Sequence, residues 1–298
     1  LVSSVKYSKA QAEIASAMPF ARGIEELIHK AQAGSSHPFY GGGVYPTGSG
    51  AIYRTKEQEK SKRAILLITS DRGLCGSFNN NLIRELGSNL DSILYFAAGK
   101  KGRDYLARAG LSIGGEYPGI FRKLNYSSAE IIAEDIISAY LSGEVSEVRA
   151  VYSEFSGPGK LKNVVKKILP IEDVSQSHSE RQRRIPVNET LSPPARGQGD
   201  EGVAGKSTVD GVYLFEPEKE IIIDSLLRRY IKVKIYGMLL ESNASEQFSR
   251  MMAMDIATDN ANELIEQLTL EMNKQRQMVI TRELSEIMGA TEILQAGG

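Results

Sequence analysis

Residues 218–288 read EKEIIIDSLLRRYIKVKIYGMLLESNASEQFSRMMAMDIATDNANELIEQLTLEMNKQRQMVITRELSEIM, a run of more than seventy residues without proline and with one glycine, Gly237. Ala, Leu, Glu, Gln, Met and Arg dominate this run, and these residues are strong helix formers. Pro217 fits the first helical turn, because its missing N–H has no partner inside the helix there. The run therefore predicts one helix from Pro217 to about Leu294, roughly 115 Å long at about 1.5 Å per residue.

A helix of this length needs a second long helix to cover its apolar stripe. Its apolar residues step by three and four, with a stutter between two runs: Ala257, Ala261, Leu264, Leu268 and Met272, and then Ile280, Leu284 and Ile287. Such spacing is typical of a coiled coil. Residues 1–33 have helical spacing too, although Pro19 predicts a kink. The two ends of the chain are therefore predicted to form an antiparallel coiled coil, in which the N-terminal helix of about 50 Å leaves most of the long helix uncovered.

Between these helices, apolar runs of strand length alternate with helical runs. The predicted strands cover residues 64–69, 92–97, 147–155 and 163–171, and the predicted helices cover 79–90, 101–109 and 127–141. This alternation predicts a Rossmann-like α/β domain with a mostly parallel sheet. The predicted divisions of the chain are an N-terminal helix at 1–33, a connecting loop and linker at 34–63, the α/β domain at 64–172, a flexible insertion at 173–210, and a foot strand with the long helix at 211–298.

The composition argues against several classes of protein. Thirty-six Lys and Arg balance 37 Asp and Glu, which leaves a net charge of −1 and no sign of a surface built for nucleic acid. One cysteine cannot form an internal disulfide, and with three histidines it supplies too few ligands for a zinc cluster. No stretch approaches 18 uninterrupted apolar residues, so direct membrane insertion is not expected. We expect a protein of a reducing compartment that binds no metal and no other cofactor.

Two glycine-lysine motifs suggest phosphate binding, and neither fits that role. Residues 205–208, GKST, end like a phosphate-binding loop, but Asp200 stands where the first glycine is required. Residues 99–102, GKKG, follow a predicted strand without the dinucleotide-binding fingerprint, so a tight turn is the favoured interpretation. The three histidines lie away from the predicted strand ends, where a partner for a Cys75 or serine nucleophile would be expected. No catalytic residue is therefore predicted.

The segment TSDRGLCG, residues 69–76, admits two interpretations. It follows the first predicted strand, at the carboxyl edge where open α/β sheets bind their ligands. Asp71 and Arg72 can close a tight turn there, and Asn79 and its neighbours can cap the helix that follows. A nucleotide site and a rigid turn both fit these residues, and physical chemistry alone does not separate them.

Two separated blocks resemble the signatures of one known family. SDRGLCGSFNNNL at residues 70–82 and ASEQFSRMMAMDIATDNANELIEQLTLEMNKQRQMVITRELSEIMGA at residues 244–290 are similar to the gamma subunit of rotary F-type ATP synthases. The resemblance covers nearly the whole chain, although the family's chain begins about two dozen residues earlier, so the N-terminal helix is expected to be incomplete. Residues 173–210 are longer than in typical bacterial members. The cysteine pair of the chloroplast members is lacking.

The resemblance implies a rotor subunit that transmits torque in ATP synthesis and hydrolysis and performs no bond chemistry. In this family the coiled coil enters a hexamer of alpha and beta subunits, and the α/β body lies against the epsilon subunit and the membrane rotor ring of c subunits. It also implies a peripheral membrane protein on the cytoplasmic face of the bacterial inner membrane. Two alternatives remain: a nucleotide- or anion-binding α/β protein with a helical oligomerisation stalk, and a static coiled-coil adaptor.

Several residues acquire expected roles from the resemblance. In the family pattern NKxRQxxIT, the residues that contact an acidic loop of a beta subunit correspond to Arg276, Gln277 and Thr281. A guanidinium can bind carboxylates through two hydrogen bonds, which agrees with that role. The alternative is that Arg276 pairs with the neighbouring helix. Tyr213 and Glu216, in the YLFEP segment, correspond to the foot that meets the rotor ring.

The C-terminal end of the long helix is sparsely charged. Beyond Glu283, only Glu286 and Glu292 carry charge, and the predicted bearing tip consists of apolar residues: Leu284, Ile287, Met288, Ile293 and Leu294. A protruding apolar helix end aggregates unless another surface encloses it. We expect a bearing in which the helix turns without fixed ion pairs, and the alternative is an ordinary coiled-coil end packed on a partner helix.

Overall fold

The computed structural model describes residues 2–31, 37–40, 44–47, 50–53, 62–87, 92–157, 161–171 and 219–296. The helices are α1 Val2–Ala31, α2 Phe78–Arg84, α3 Lys100–Arg108, α4 Tyr126–Leu141 and α5 Lys219–Ala296. The strands are β1 Val44–Thr47, β2 Gly50–Tyr53, β3 Lys62–Ile68, β4 Ile93–Ala98, β5 Ile113–Tyr117, β6 Val145–Phe155 and β7 Leu161–Leu169. Short 3-10 helices cover Pro38–Tyr40 and Ile120–Arg122.

The central sheet has the strand order β5-β4-β3-β6-β7. Its strands run parallel except β7, which pairs with β6 in the antiparallel direction. In β3, every residue from Ala64 to Ile68 is buried, as expected for a strand covered on both faces. The predicted α/β fold with a mostly parallel sheet is therefore confirmed.

Helices cover the sheet on both faces, and side chains alternate between the two layers. Leu66 and Tyr152 point into the larger core, which is shared with α1, α4 and the first part of α5. Leu67 and Val151 point into the smaller core beneath α2 and α3. Strand residues one position apart thus contribute to opposite cores, and the period of two along the strands sets the layers.

The two terminal helices pack side by side in opposite directions. The ring of Tyr7 near the start of α1 lies 5.5 Å from that of Phe248, and the guanidinium of Arg229 lies 5.2 Å from the ring of Phe20 further along. Rising numbers in α1 therefore meet falling numbers in α5, which confirms the predicted antiparallel pairing. The helix α1 continues through Pro19 as one element.

Several predicted boundaries were wrong. The range 34–63 was expected to be loop and linker, but β1 and β2 form an antiparallel hairpin there. The strand β5 was not predicted, because its sequence IGGEY lacks an apolar run. Helix α4 begins after Asn125 and not at Ser127, since the Asn125 side chain accepts a hydrogen bond from Ser128 N at 2.9 Å.

Helix α2 ends at Arg84, short of the predicted position 90. A glycine in the left-handed conformation, Gly87 at φ +73°, closes the turn after it. The predicted insertion at 173–210, Pro217 and the foot residues Tyr213 and Glu216 lie outside the described residues.

Candidate functional site

The most prominent surface feature is the part of α5 that extends beyond α1. From Asp255 to Met288 every residue is exposed except the half-buried Asn273, whereas α5 is largely buried up to Gln247. We call residues 255–288 the exposed segment; at about 1.5 Å per residue it is roughly 50 Å long. Among the described residues, no other element packs along it.

The exposed segment carries more apolar surface than a monomeric protein normally shows to water. Its large exposed hydrophobic residues are Ile256, Leu264, Ile265, Leu268, Leu270, Met272, Met278, Val279, Ile280, Leu284, Ile287 and Met288. Exposed apolar patches of this extent mark protein–protein interfaces. The segment therefore has the composition of a surface that another protein encloses.

The three residues expected to contact a beta subunit lie on one side of this segment. With 100° per residue, Gln277 lies about 100° and Thr281 about 140° around the helix from Arg276. Thr281 Oγ1 donates to the main-chain carbonyl oxygen of Gln277 at 2.8 Å, which orients the hydroxyl along the helix. Among the described residues, Arg276 has no ion-pair partner.

The predicted bearing tip is described only in part. Leu284, Ile287 and Met288 are all more than half exposed. Among the described residues, the ion pair near them is that between Arg282 and Glu286 at 3.4 Å, which joins exposed side chains and contributes little. Ile293 and Leu294 belong to α5, but their side chains lie outside the described residues.

The loop after β3, residues 69–79, is tied to the neighbouring loops by one carboxylate. Asp71 Oδ1 accepts hydrogen bonds from Lys100 N at 3.0 Å and Gly119 N at 2.7 Å, and Oδ2 accepts from Phe121 N at 3.2 Å. These three donors follow β4 and β5. Asp71 therefore joins the carboxyl ends of three adjacent strands.

These bonds decide between the two interpretations of this loop. The first three N–H groups of α3 all donate to it: Lys100 N to Asp71 Oδ1, Lys101 N to Ser70 O at 3.0 Å, and Gly102 N to Thr69 Oγ1 at 2.7 Å. A phosphate at a helix N-terminus needs such N–H groups unoccupied. Since a carboxylate already lies there, the residues form a rigid turn and leave no place for a nucleotide phosphate on α3.

Inside the loop, polar side chains hold its shape. Asn79 Oδ1 accepts from Ser70 N at 3.0 Å, and Ser70 Oγ donates to Arg72 O at 2.6 Å. Cys75 is buried beneath this network, with its Sγ 3.3 Å from Asn79 Nδ2. At the tip of the loop, Leu74 is three-quarters exposed and has φ +63°, a strained value for a leucine.

The loop also touches α5 at the point where this helix leaves the α/β body. Arg250 Nη2 donates to Gly73 O at 3.4 Å and pairs with Glu246 Oε1 at 2.6 Å. Burial raises the pKa of Glu246, and the charge of Arg250 opposes that rise. The spacing of these two residues by four was visible in the sequence, but their burial was not, because it depends on the loop that folds against them.

A second polar contact fixes α5 to α4. Lys232 Nζ lies 2.8 Å from Glu130 Oε1 and 2.6 Å from Glu134 Oε1, and these bonds raise the pKa of Lys232. On the other side of α4, Tyr117 donates its hydroxyl to Asp135 Oδ2 at 2.6 Å.

None of the described helices contains an apolar stretch long enough to cross a lipid bilayer.

Comparison with known proteins assigns the family. A family profile described as ATP synthase matches residues 1–294. The chain is 36% identical to the ATP synthase gamma chain of Pelotomaculum thermopropionicum and 34% identical to that of Desulforamulus reducens; in both cases the alignment covers 99% of this chain and 91% of the relative.

Solved structures have the same fold. One is a chain of the Euglena gracilis mitochondrial ATP synthase in rotational state 3, with a TM-score of 0.57 and 17% identity over 98% of this chain and 95% of that one. Another belongs to the central stalk and c-ring of the Tetrahymena thermophila enzyme, with a TM-score of 0.51 and 19% identity over 87% of this chain and all of that one. Because the profile and the bacterial relatives span nearly the whole chain, the protein belongs to the gamma subunits of F-type ATP synthases and is a central-stalk subunit of that rotary enzyme.

Proposed function

We propose that this chain turns as a shaft and transmits torque between a proton-driven membrane ring of c subunits and a catalytic hexamer of alpha and beta subunits. The observation that carries the proposal is the exposed segment, a helix of roughly 50 Å that projects from the body and presents apolar side chains on all sides. A helix that served only as a pairing stalk would expose one apolar stripe. Apolar residues all around the helix suit a surrounding sleeve, against which the helix can rotate.

Arg276, Gln277 and Thr281 are proposed to contact an acidic loop of a beta subunit. Their side chains share one side of the helix, and Arg276 has no carboxylate partner among the described residues. A guanidinium that meets two carboxylate oxygens forms a strong, directional contact. Because one chain meets three beta subunits in turn, the contact can favour a different conformation in each catalytic site as the angle changes.

The bearing tip is proposed to be Leu284, Ile287, Met288, Ile293 and Leu294, enclosed by the top of the hexamer. Apolar contacts are non-directional, so an apolar tip can turn without breaking ion pairs at each step. The exposure of Leu284, Ile287 and Met288 supports this role.

The foot, which the YLFEP segment marks in the sequence, is proposed to meet the membrane ring and the epsilon subunit. Tyr213 and Glu216 are assigned to the foot on the family pattern alone. Attachment through these partners would make the protein peripheral to the cytoplasmic face of the bacterial inner membrane. We retain the division into 1–33, 34–63, 64–172, 173–210 and 211–298 as part of this proposal, with the hairpin of β1 and β2 in the second part.

Reconstitution with alpha and beta subunits tests the proposal. We expect the chain to join the hexamer in one copy and to raise its ATPase turnover. A chain that neither associates with the hexamer nor changes turnover would overturn the proposal. Calorimetric titration of the chain alone with ATP tests the rival nucleotide-binding function; the occupied N-terminus of α3 leads us to expect no tight binding there.

A further inference from the structure

Glu246 is an unusual residue for the interior of this fold. Its exposed fraction is 4%, and it lies one turn before α5 leaves the body. One carboxylate oxygen, Oε1, is bonded to Arg250, while the other, Oε2, is buried without a hydrogen-bond partner among the described residues. A buried carboxylate with an unsatisfied oxygen costs stability, and a well-packed apolar side chain would avoid that cost. Stability therefore does not explain the presence of Glu246.

Three charged groups face this carboxylate, each from a different element. Arg250 lies one turn further along α5, and Lys6 on α1 and Asp71 in the loop after β3 act on the carboxylate through their charges. The two cations favour the ionised carboxylate, whereas Asp71 and burial disfavour it. The protonation state of Glu246 thus depends on the close packing of α1, α5 and the loop.

Arg250 links Glu246 to the sheet. Its Nη2 atom is shared between Glu246 Oε1 and Gly73 O, so the carboxylate holds the guanidinium against the loop. The loop lies close to α5 further along as well, since a Cβ atom added at Gly76 would be 3.9 Å from Ala253. Through Asp71, the same loop is bonded to the ends of the neighbouring strands. A continuous set of polar contacts therefore runs from α5 to the carboxyl edge of the sheet.

We propose that Glu246 and Arg250 are a positioning pair. Ionised Glu246 orients Arg250 onto the carbonyl oxygen of Gly73, and this contact fixes the direction of the exposed segment. Protonation of Glu246 releases the contact. The consequence for torque rests on the function proposed above. A segment held rigidly transmits the angle of the body, whereas a segment that swings loses part of it. The pair makes this rigidity depend on pH.

Distance measurements between spin labels on the full chain test the positioning pair without reference to torque. Labels at Ile131→Cys on α4 and Asp259→Cys on the exposed segment report how widely that segment swings. In a pH titration, we expect the wild-type distribution to broaden as the pH falls through the raised pKa of Glu246, and the Glu246→Gln distribution to be broad at every pH. The population of chains whose exposed segment has swung away should rise about tenfold or more when Glu246 is neutral. This is the change in population expected when a charge-assisted hydrogen bond is lost.

Further variants separate positioning from folding. Glu263→Gln, which changes an exposed glutamate of the same helix, should behave like the wild type. Arg250→Gln leaves Glu246 buried without its cation and can impair folding, so the double variant Glu246→Gln with Arg250→Gln is measured beside it. The double variant should be no broader than Glu246→Gln alone, because both changes break one contact. Equal widths for wild type and Glu246→Gln throughout the pH titration would overturn the positioning pair.

The use of the pair in torque is tested in the assembled enzyme. We expect Glu246→Gln to hydrolyse ATP while pumping fewer protons per ATP than the wild type at neutral pH, and Glu263→Gln to match the wild type. Broad distances with unchanged pumping would overturn the coupling role alone. Failure of the chain to join the hexamer, by contrast, would overturn the shaft function and leave the distance result standing.

Discussion

Replacement of Asp71 by alanine should destabilise the α/β body more than the replacement of any exposed aspartate. The carboxylate accepts three backbone hydrogen bonds, from Lys100 N, Gly119 N and Phe121 N, at 2.7 to 3.2 Å. Alanine removes both acceptor oxygens at once and leaves the three donors, which lie in the loops after β4 and β5, to water. Asparagine keeps one carbonyl oxygen and places an NH₂ group where the other oxygen accepts.

The magnitude follows from these contacts. A hydrogen bond to a charged acceptor contributes about 1.5 to 3 kcal/mol when buried. Asp71 is half-buried, so we take about 1 kcal/mol for each bond. The alanine variant should then lose about 3 kcal/mol of the free energy of unfolding, and the asparagine variant about 1 kcal/mol, because one acceptor atom is lost.

Urea unfolding followed through the tyrosine signal is a suitable assay, because the chain has 13 tyrosines and no tryptophan. The midpoint should fall while the dependence on urea concentration stays unchanged, which identifies a change in stability. Asp259→Asn, on the exposed segment, is the control and should lie within about 0.5 kcal/mol of the wild type. An alanine variant at Asp71 that matches this control would refute the view that the carboxylate joins the three strand ends.

Three further predictions concern charged residues on α5. Arg276→Glu should reduce ATP-driven proton pumping several-fold in the assembled enzyme, because it replaces an attraction to carboxylates of a beta subunit with repulsion. The matched variant Arg282→Glu should reduce pumping less. Equal losses in the two variants would contradict the assigned contact. Lys232→Ala should cost about 1 kcal/mol of unfolding free energy, because the two carboxylates that Lys232 bridges are nearly half exposed and water can solvate them. Lys274→Ala on the exposed segment should be nearly neutral by thermal unfolding. Burial raises the pKa of Glu246, so above the ordinary pKa of 4.5 the folded state binds more protons than the unfolded state. The wild type should therefore lose stability as the pH rises from 4.5 through the raised pKa, and Glu246→Gln should lack this loss. Parallel pH profiles of unfolding for the two proteins would contradict the assignment.

Local patterns were sufficient for the largest elements of the fold. The long C-terminal helix was predicted from its composition and from the absence of proline, and α5 spans Lys219–Ala296. The parallel core was predicted from apolar runs such as that of β3. Prediction failed where the pattern was weak, as in β5, whose glycines and glutamate form a strand only because the edge of β4 offers backbone hydrogen-bond partners.

The candidate site divides in the same way. The positions of Arg276, Gln277 and Thr281 on the long helix, and the apolar character of its end, follow from the sequence, because helical periodicity is a local property. The relation of Asp71 to α3 does not follow from it, since the donors lie 29 to 50 residues away along the chain. Both interpretations of that loop remained open on its residues until these bonds were known.

The sequence by itself thus determined that a very long helix pairs with the N-terminus, that an alternating α/β body lies between them, and that the chain belongs to its family. Only the tertiary structure determined where the long helix leaves the body, that Glu246 is buried at that point, and that a carboxylate occupies the N-terminus of α3. The physical reason is that helix formation depends on neighbouring residues, whereas burial and the satisfaction of polar groups depend on segments brought together from distant parts of the chain.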